Sequence, residues 1–139
     1  MKYAPVKPRF KRVLLVDDDM IDNYINERIV TSFGFAGEVV VKTTAFDALA
    51  FLVDEQQDPD RLPEFIFLDL NIPVLDGFGF LREFEMVVEK FPVIAERCRI
   101  IVLSSSMSPE DIDRASVNRF VTKYLNKPLS EKYLEAINI

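Results

Sequence analysis

The sequence contains no histidine, and this absence excludes several kinds of chemistry. It rules out Ser-His-Asp and Cys-His catalysis, histidine-ligated metals and a histidine of this chain as a phosphoryl carrier. The single cysteine, Cys98, cannot form a disulfide within the chain and has no clustered partners for zinc. We therefore predict a small, semi-buried thiol in a reducing cytoplasm, and chemistry that is carried by carboxylates, hydroxyls and lysine.

The sequence also lacks an apolar run long enough for a signal peptide or a membrane span, so we expect no membrane partner. The formal net charge of −6 argues against nucleic acid binding, which needs basic patches that neutralise phosphates. Basic residues are concentrated in a short solvated arm, which we predict over residues 1–11. With 139 residues, of which 49% are hydrophobic, the chain fits one domain, predicted over residues 12–139.

A run of apolar residues ends abruptly at a carboxylate, Asp69, near the middle of the chain. The run from Phe65 to Leu68 is typical of a strand buried on both faces, and Pro73 with Asp76-Gly77 indicates a loop after it. Similar patterns predict four further strands, over residues 12–17, 38–42, 99–103 and 120–125. Helical spacing and capping residues predict five helices. The first begins after Asp18 or Asp19 and ends near Gly34, the second begins after Thr44, the third extends from Gly77 to about Lys90, and the last two begin at Ser108 and at Ser130. Residues 93–98 fit one further helical turn.

Five strands that alternate with five helices predict an α/β fold, with a five-stranded parallel sheet and helices on both faces. In such open sheets a ligand binds beyond the carboxyl ends of the strands. The polar residues that follow the predicted strands at this edge are Asp17, Asp18, Asp69, Ser104 and Lys127.

These groups suit phosphoryl transfer to a carboxylate. Clustered carboxylates repel each other, and we expect Mg²⁺ to relieve the repulsion because it binds oxygen ligands and leaves room for phosphate oxygens. The predicted reaction is attack of the Asp69 carboxylate on a phosphoryl group, which gives an acyl phosphate. Lys127 would supply a positive charge to that group, and the Ser104 hydroxyl would donate a hydrogen bond.

In this order the residues resemble the receiver domain of two-component response regulators, over roughly residues 11–138. The residues that carry the resemblance are Asp17-Asp18 after an apolar strand, Leu68 to Pro73 around Asp69, Asp76-Gly77, Ser104, Tyr124 and Lys127-Pro128. The resemblance implies a flavodoxin-like strand order, 2-1-3-4-5. It also implies a stand-alone switch without an output domain, with no enzymatic activity beyond self-phosphorylation and self-dephosphorylation.

The resemblance further implies roles for single residues. Asp69 would be the phosphoacceptor. Mg²⁺ would be held by Asp18, Asp69 and the backbone carbonyl of Asn71, and by Asp17 largely through water. Ser104 and Tyr124 would form a switch pair that alters the surface of the fourth helix, fifth strand and fifth helix.

The implied partners are proteins. A sensor histidine kinase or a histidine phosphotransfer protein would donate the phosphoryl group, docking on the first helix near Ile21, Tyr24 and Ile25. A further protein of unknown identity would receive the signal.

Some features depart from the receiver pattern. Phe120-Val121 replaces a small Gly-Ala pair, Ser105 replaces a common alanine, and the segment between Asp69 and Ser104 is a few residues longer than expected. These departures leave open a receiver-fold scaffold that takes no phosphate.

Another alternative is a phosphatase of the haloacid dehalogenase type. Asp17-Asp18-Asp19 after an apolar strand also fits such an enzyme, with Asp17 as nucleophile and Asp19 as acid. However, nothing after Lys127 supplies the later acidic motif, and the chain lacks a cap domain that would shape a substrate pocket.

Overall fold

The computed structural model describes residues 7–137, so most of the predicted arm, residues 1–6, and the last two residues of the predicted domain lie outside it. Five parallel strands form one sheet in the order β2-β1-β3-β4-β5, which confirms the predicted fold and strand order. The strands are β1 (Phe10–Val16), β2 (Ala36–Lys42), β3 (Phe65–Leu68), β4 (Arg99–Ser104) and β5 (Val121–Asn126).

The described residues contain six α-helices, one more than predicted, and one 3₁₀ turn (Pro59–Arg61); five of the helices connect strands and the last follows β5. The helices are α1 (Met20–Ser32), α2 (Ala45–Glu55), α3 (Gly77–Lys90), α4 (Val93–Arg97), α5 (Pro109–Ser116) and α6 (Glu131–Ala136). The additional helix, α4, is the helical turn indicated over residues 93–98. It occupies the chain between α3 and β4, and this accounts for the long segment between Asp69 and Ser104.

The two faces of the sheet carry separate hydrophobic clusters. On β1, Leu14 and Val16 pack in the cluster that includes residues of α2 to α5, whereas Val13 and Leu15 pack in the cluster that includes residues of α1 and α6. This alternation follows from the two-residue period of a strand, and it is why the central strands are apolar throughout.

Side-chain caps set the starts of the helices as predicted. The Asp19 carboxylate accepts hydrogen bonds from the backbone N–H groups of Ile21 and Asp22, so Asp19 is the cap of α1. Thr44, Ser108 and Ser130 cap α2, α5 and α6 in the same way. Gly34, with a φ of 79°, occupies the left-handed conformation just after α1.

The predicted start of the first strand was wrong by two residues, because β1 begins at Phe10. Phe10 is buried, and its ring lies 4.9 Å from the rings of both Phe35 and Phe65. Arg9 also belongs to the folded part, since its guanidinium donates hydrogen bonds to the carbonyl oxygens of Leu134 and Ile137. The end of the predicted arm therefore belongs to the folded domain.

The predicted start of the last strand was wrong by one residue, because β5 begins at Val121 rather than at Phe120.

An ion network around the buried Arg12, missed by the sequence analysis, joins the neighbouring strands β1 and β2 to the end of α2. The Arg12 guanidinium contacts Glu55 Oε1 at 2.6 Å and Glu38 Oε1 at 3.1 Å, and it donates to the Arg61 carbonyl at 2.7 Å. Burial disfavours the charged form of Arg12, but these carboxylates outweigh it and raise its pKa. Arg12 thus links the two strands to α2 and to the 3₁₀ turn.

Cys98 is buried more deeply than predicted, and burial raises the pKa of its thiol to about 12. Among residues 7–137, none of the helices has the length and apolar character needed to cross a membrane.

Candidate functional site

The carboxyl ends of four strands bring the predicted site residues together. Backbone hydrogen bonds continue the sheet ladder past the strands: Asp17 N–H donates to the Lys42 carbonyl, and Asp69 N–H to the Val16 carbonyl. On the other side, Lys127 N–H donates to the Ser104 carbonyl at 2.9 Å. Each residue is therefore held by the strand next to it, so the rigidity of the sheet extends into the site.

Lys127 is the cation of the site. Its Nζ lies 2.7 Å from Asp17 Oδ2, 2.7 Å from Asp22 Oδ2 and 3.3 Å from Asp69 Oδ2. Burial disfavours the charged ammonium, but the hydrogen bonds to Asp17 and Asp22 and the charge on Asp69 prevail and raise the pKa of Lys127. The peptide bond between Lys127 and Pro128 is cis. Lys127 is therefore charged and directed at the carboxylates.

Asp17, Asp18 and Asp69 form an acidic cluster in which one oxygen of each carboxylate lies within 4.8 Å of the others. Asp17 and Asp69 are buried and Asp18 is exposed. Burial raises the pKa of Asp17, and the nearby charge of Asp69 acts in the same direction. A set made only of oxygen ligands, two of them buried like charges, fits a hard divalent cation such as Mg²⁺.

The loop after Asp69 is shaped by Gly77 at the start of α3. Gly77 N–H donates to the Leu70 carbonyl, and a Cβ at this position would lie 2.6 Å from Leu70 Cα and 2.8 Å from the Asp69 carbonyl oxygen. Only glycine allows this approach. In the same loop Val74 is exposed and has a φ of 70°, a left-handed conformation that is uncommon for a β-branched residue. Asn71 N–H donates to Asp69 Oδ1, which orients the carboxylate.

The two predicted switch residues are linked through Ser106. Ser104 is fully buried at the end of β4, and its Oγ accepts a hydrogen bond from Ser106 N–H. The Tyr124 hydroxyl donates to the Ser106 carbonyl oxygen. The Ser106 hydroxyl in turn donates to Asp111 Oδ2 at 2.7 Å, which ties the loop to α5. Ser104 and Tyr124 are therefore linked by hydrogen bonds to Ser106, in the loop after β4, rather than by a direct hydrogen bond.

Asp22 is a residue of the site that the sequence analysis missed. It lies in the first turn of α1, where the simplest interpretation of an acidic residue is that its negative charge stabilises the helix N-terminus. Helical spacing gave no signal, because Asp18 precedes Asp19, the cap of α1, and therefore does not share a helical face with Asp22. Asn23 was also missed: its side chain donates to the Asp17 carbonyl and is buried.

The phosphatase alternative is not favoured by this geometry. Asp19 would have to act as the acid, yet its carboxylate accepts the backbone N–H groups of Ile21 and Asp22 as the cap of α1. Asp17 is buried against Lys127 rather than facing a substrate pocket.

Comparison with known proteins agrees with the geometry. The family model described as "Response regulator receiver domain" matches residues 13–138. A "Probable methanogenesis regulatory protein FilR2" from Methanothrix harundinacea is 31% identical over 121 residues, which cover 85% of this chain and 72% of that protein. Two other curated relatives are longer, and the match covers 53% of each.

Solved structures show the same fold. A two component response regulator from Cytophaga hutchinsonii is 30% identical with a TM-score of 0.79, and the match covers 90% of this chain and 91% of that one. The receiver domain of the Arabidopsis thaliana histidine kinase CKI1, complexed with Mg²⁺, is 26% identical with a TM-score of 0.72, and the match covers 88% and 86%. Receiver domains generally act as signalling switches rather than as enzymes. The chain therefore belongs to the response regulator receiver domain family and is a phosphorylation-dependent signalling switch.

Proposed function

We propose that Asp69 is the phosphoacceptor of this switch. In the reaction an Asp69 carboxylate oxygen forms a bond to the donor phosphorus. The bond from phosphorus to the donor breaks, and its electron pair leaves with the donor atom, the imidazole nitrogen of a phosphohistidine. The observation that carries this proposal is Lys127, whose Nζ contacts Asp69 and Asp17 together at the carboxyl edge of the sheet.

The surroundings of Asp69 support this role. Its carboxylate is oriented by the Asn71 N–H, and it lies at the end of a fully buried strand. Lys127 would bind a phosphoryl oxygen and offset the charge that the group brings. The Ser104 hydroxyl would donate to another phosphoryl oxygen once it turns from its present contact with Ser106.

Mg²⁺ would be held by Asp17, Asp18, Asp69 and the backbone carbonyl of Asn71. The cluster of three carboxylates and the Mg²⁺ complex of the CKI1 receiver domain support this assignment. When bound, the ion would neutralise phosphoryl oxygens and the repulsion among the carboxylates.

A histidine kinase or a histidine phosphotransfer protein would donate the phosphoryl group. The exposed side of α1 supports docking there, because Ile21, Tyr24 and Ile25 leave 71%, 61% and 43% of their surface uncovered. This apolar face adjoins a cleft of about 320 Å³ that reaches Lys127 and Pro128. A cytoplasmic location, where such donors present their phosphohistidine, agrees with a single buried cysteine.

The output would pass through Ser104 and Tyr124 to the surface of α5, β5 and α6. When Ser104 turns to the phosphoryl group, the loop around Ser106 loses one of its hydrogen bonds, and the Tyr124 ring becomes free to move. The loop is thus a two-state element biased by a local charge. A downstream protein would recognise the altered surface.

One labelling experiment tests the acceptor. The protein is incubated with acetyl phosphate and Mg²⁺, any acyl phosphate is reduced with borohydride to homoserine with release of phosphate, and the homoserine is located by mass spectrometry as the label. We expect a label on Asp69 that requires Mg²⁺, disappears in Asp69→Asn and is reduced by about two orders of magnitude in rate in Lys127→Met. A label on Asp17 would instead support the phosphatase, and a folded protein without any label would support the scaffold.

A further inference from the structure

We infer that Asp22 is a positioning residue that restrains Lys127, and that the Lys127 ammonium releases Asp22 when Asp69 becomes phosphorylated. The inference rests on the proposed function of Asp69 as phosphoacceptor. It concerns regulation of the same site by a carboxylate outside the acidic cluster.

The hydrogen-bonding capacity of Lys127 is already filled. An ammonium group has three N–H donors, and Nζ of Lys127 contacts three carboxylates, those of Asp17, Asp22 and Asp69. A phosphoryl oxygen on Asp69 needs one of these donors. The ammonium must therefore give up one carboxylate before it binds the phosphoryl group.

Asp22 is the partner whose release is easiest. The side chains of Asp17 and Asp69 are each 7% exposed, whereas that of Asp22 is 37% exposed, so water can replace the ammonium only at Asp22 without a large desolvation penalty. Asp17 is further held by the N–H of Asp19, while Asp69 carries the phosphoryl group itself.

Asp22 holds the Lys127 ammonium away from Asp69. Lys127 Nζ is closer to Asp22 Oδ2, at 2.7 Å, than to Asp69 Oδ2, at 3.3 Å. Asp22 therefore holds the positive charge to the side of the acceptor in the resting protein. Removal of its charge leaves one N–H donor available for the incoming group, so phosphorylation becomes faster.

The test compares initial rates of labelling at limiting acetyl phosphate and saturating Mg²⁺, followed by intact-mass spectrometry. In each labelled molecule the Asp69 oxygen bonds to phosphorus and acetate leaves with the electron pair. We expect Asp22→Asn to raise the rate about fivefold, the factor that corresponds to an exposed ion pair of about 1 kcal/mol. Asp22→Glu, which retains a carboxylate, should remain closer to the unmodified protein.

Glu27→Gln is the matched control, because Glu27 is exposed on the same helix and its side chain makes no hydrogen bond or ion pair within residues 7–137. It should leave the rate unchanged. A second control places Asp22→Asn in the Lys127→Met protein, where no ammonium is left to release and no acceleration is expected over long incubations. Thermal unfolding of every variant checks that the fold is intact.

The outcomes separate the two proposals. Absence of a label on Asp69 in the unmodified protein overturns the proposed function and this inference with it. Normal labelling of Asp69 with an unchanged or lower rate in Asp22→Asn overturns the inference alone. An equal acceleration in Glu27→Gln, or one that persists without Lys127, would show a general effect of charge and would also overturn it.

Discussion

The Tyr124 hydroxyl donates a hydrogen bond to the carbonyl oxygen of Ser106, 2.9 Å away. Ser106 is also the residue whose N–H holds the Ser104 hydroxyl. The aromatic side chain on β5 and the buried hydroxyl at the end of β4 thus form hydrogen bonds with the same loop residue. The two contacts involve the N–H and the carbonyl oxygen of one residue, Ser106, on adjacent peptide units.

This contact predicts a modest, local effect for Tyr124→Phe. The substitution removes one neutral hydrogen bond, and we expect the free energy of unfolding to fall by about 1 kcal/mol in urea denaturation. Labelling of Asp69 should persist, because the Tyr124 hydroxyl contacts Ser106 and not Asp69. Tyr133→Phe serves as control, since the Tyr133 hydroxyl has no hydrogen-bond partner within residues 7–137. Equal losses in both variants would contradict the role of the Ser106 contact.

Substitution of Asp18 tests Mg²⁺ binding separately from the stability of the fold. It is exposed and its carboxylate makes no hydrogen bond within the described range, yet it belongs to the acidic cluster. We expect Asp18→Asn to weaken Mg²⁺ binding by at least about tenfold in calorimetric titration. The free energy of unfolding without Mg²⁺ should change by less than about 0.5 kcal/mol. Asp54→Asn, an exposed acid on α2, should leave the Mg²⁺ affinity unchanged; a similar loss there would argue against a direct ligand role for Asp18.

Glu55 makes stability depend on pH. Its hydrogen bonds from Arg12 and Arg61 lower the pKa of its carboxyl below the ordinary value of 4.5. A pKa that is lower in the folded state stabilises the fold above the unfolded pKa, and this contribution disappears as the pH falls through the folded pKa. Glu55→Gln should therefore reduce the free energy of unfolding at pH 7 and flatten its decline below pH 4.5. Urea titrations across this range test it, with Glu89→Gln as the exposed control expected to preserve the unmodified profile.

Val74 stores backbone strain in the loop that follows Asp69. A left-handed conformation costs a residue with a Cβ roughly 1–2 kcal/mol, and asparagine tolerates it better. We expect Val74→Asn to raise the free energy of unfolding by about 1 kcal/mol. Val117→Asn is the control, because Val117 is also exposed but has an ordinary φ of −86°. A gain in both variants would point to solubility rather than to relief of strain.

Phe120 is a packing residue that replaces the small residue of the receiver pattern. Its ring meets the ring of Phe84 edge to face, with the centroids 5.1 Å apart. Because Phe120 is half-buried, we expect Phe120→Ala to lower the free energy of unfolding by about 2 kcal/mol, less than a fully buried phenylalanine would lose. Phosphorylation at Asp69 should continue. Phe46→Ala is the control, because Phe46 is exposed. A decrease in the free energy of unfolding as large as that of Phe120→Ala would contradict the stabilising role of the contact between Phe120 and Phe84.

Much of the fold and of the candidate site could be predicted because the relevant information is local. The apolar residues from Phe65 to Leu68 predict a buried strand, and a chain of alternating strands and helices brings the carboxyl ends of the strands to one edge. Asp17, Asp69 and Lys127 were found in this way, and the structure brings all three into contact. Ser104 follows the same rule at the end of β4.

The residues that were missed take part in contacts between distant parts of the chain. Asp22 reads as an ordinary acid in the first turn of a helix until Lys127, 105 positions away, is placed beside it. From the sequence, Phe10 is predicted at the end of an arm, but it is buried against Phe35 and Phe65. Arg12 is predicted only as the start of a strand, but it is buried and forms an ion pair with Glu55. No periodicity within one segment reports such pairs.

The sequence by itself determined which groups are available: a chain without histidine, with acids, a hydroxyl and a lysine after its strands. Parallel connectivity then required them to share one edge of the sheet. Only the tertiary structure decided how the Lys127 ammonium is divided among Asp17, Asp22 and Asp69, and that Ser106 joins Ser104 to Tyr124. Differences of a few tenths of an ångström and the burial of each carboxylate set that division, and both depend on how strands, loops and α1 pack against each other.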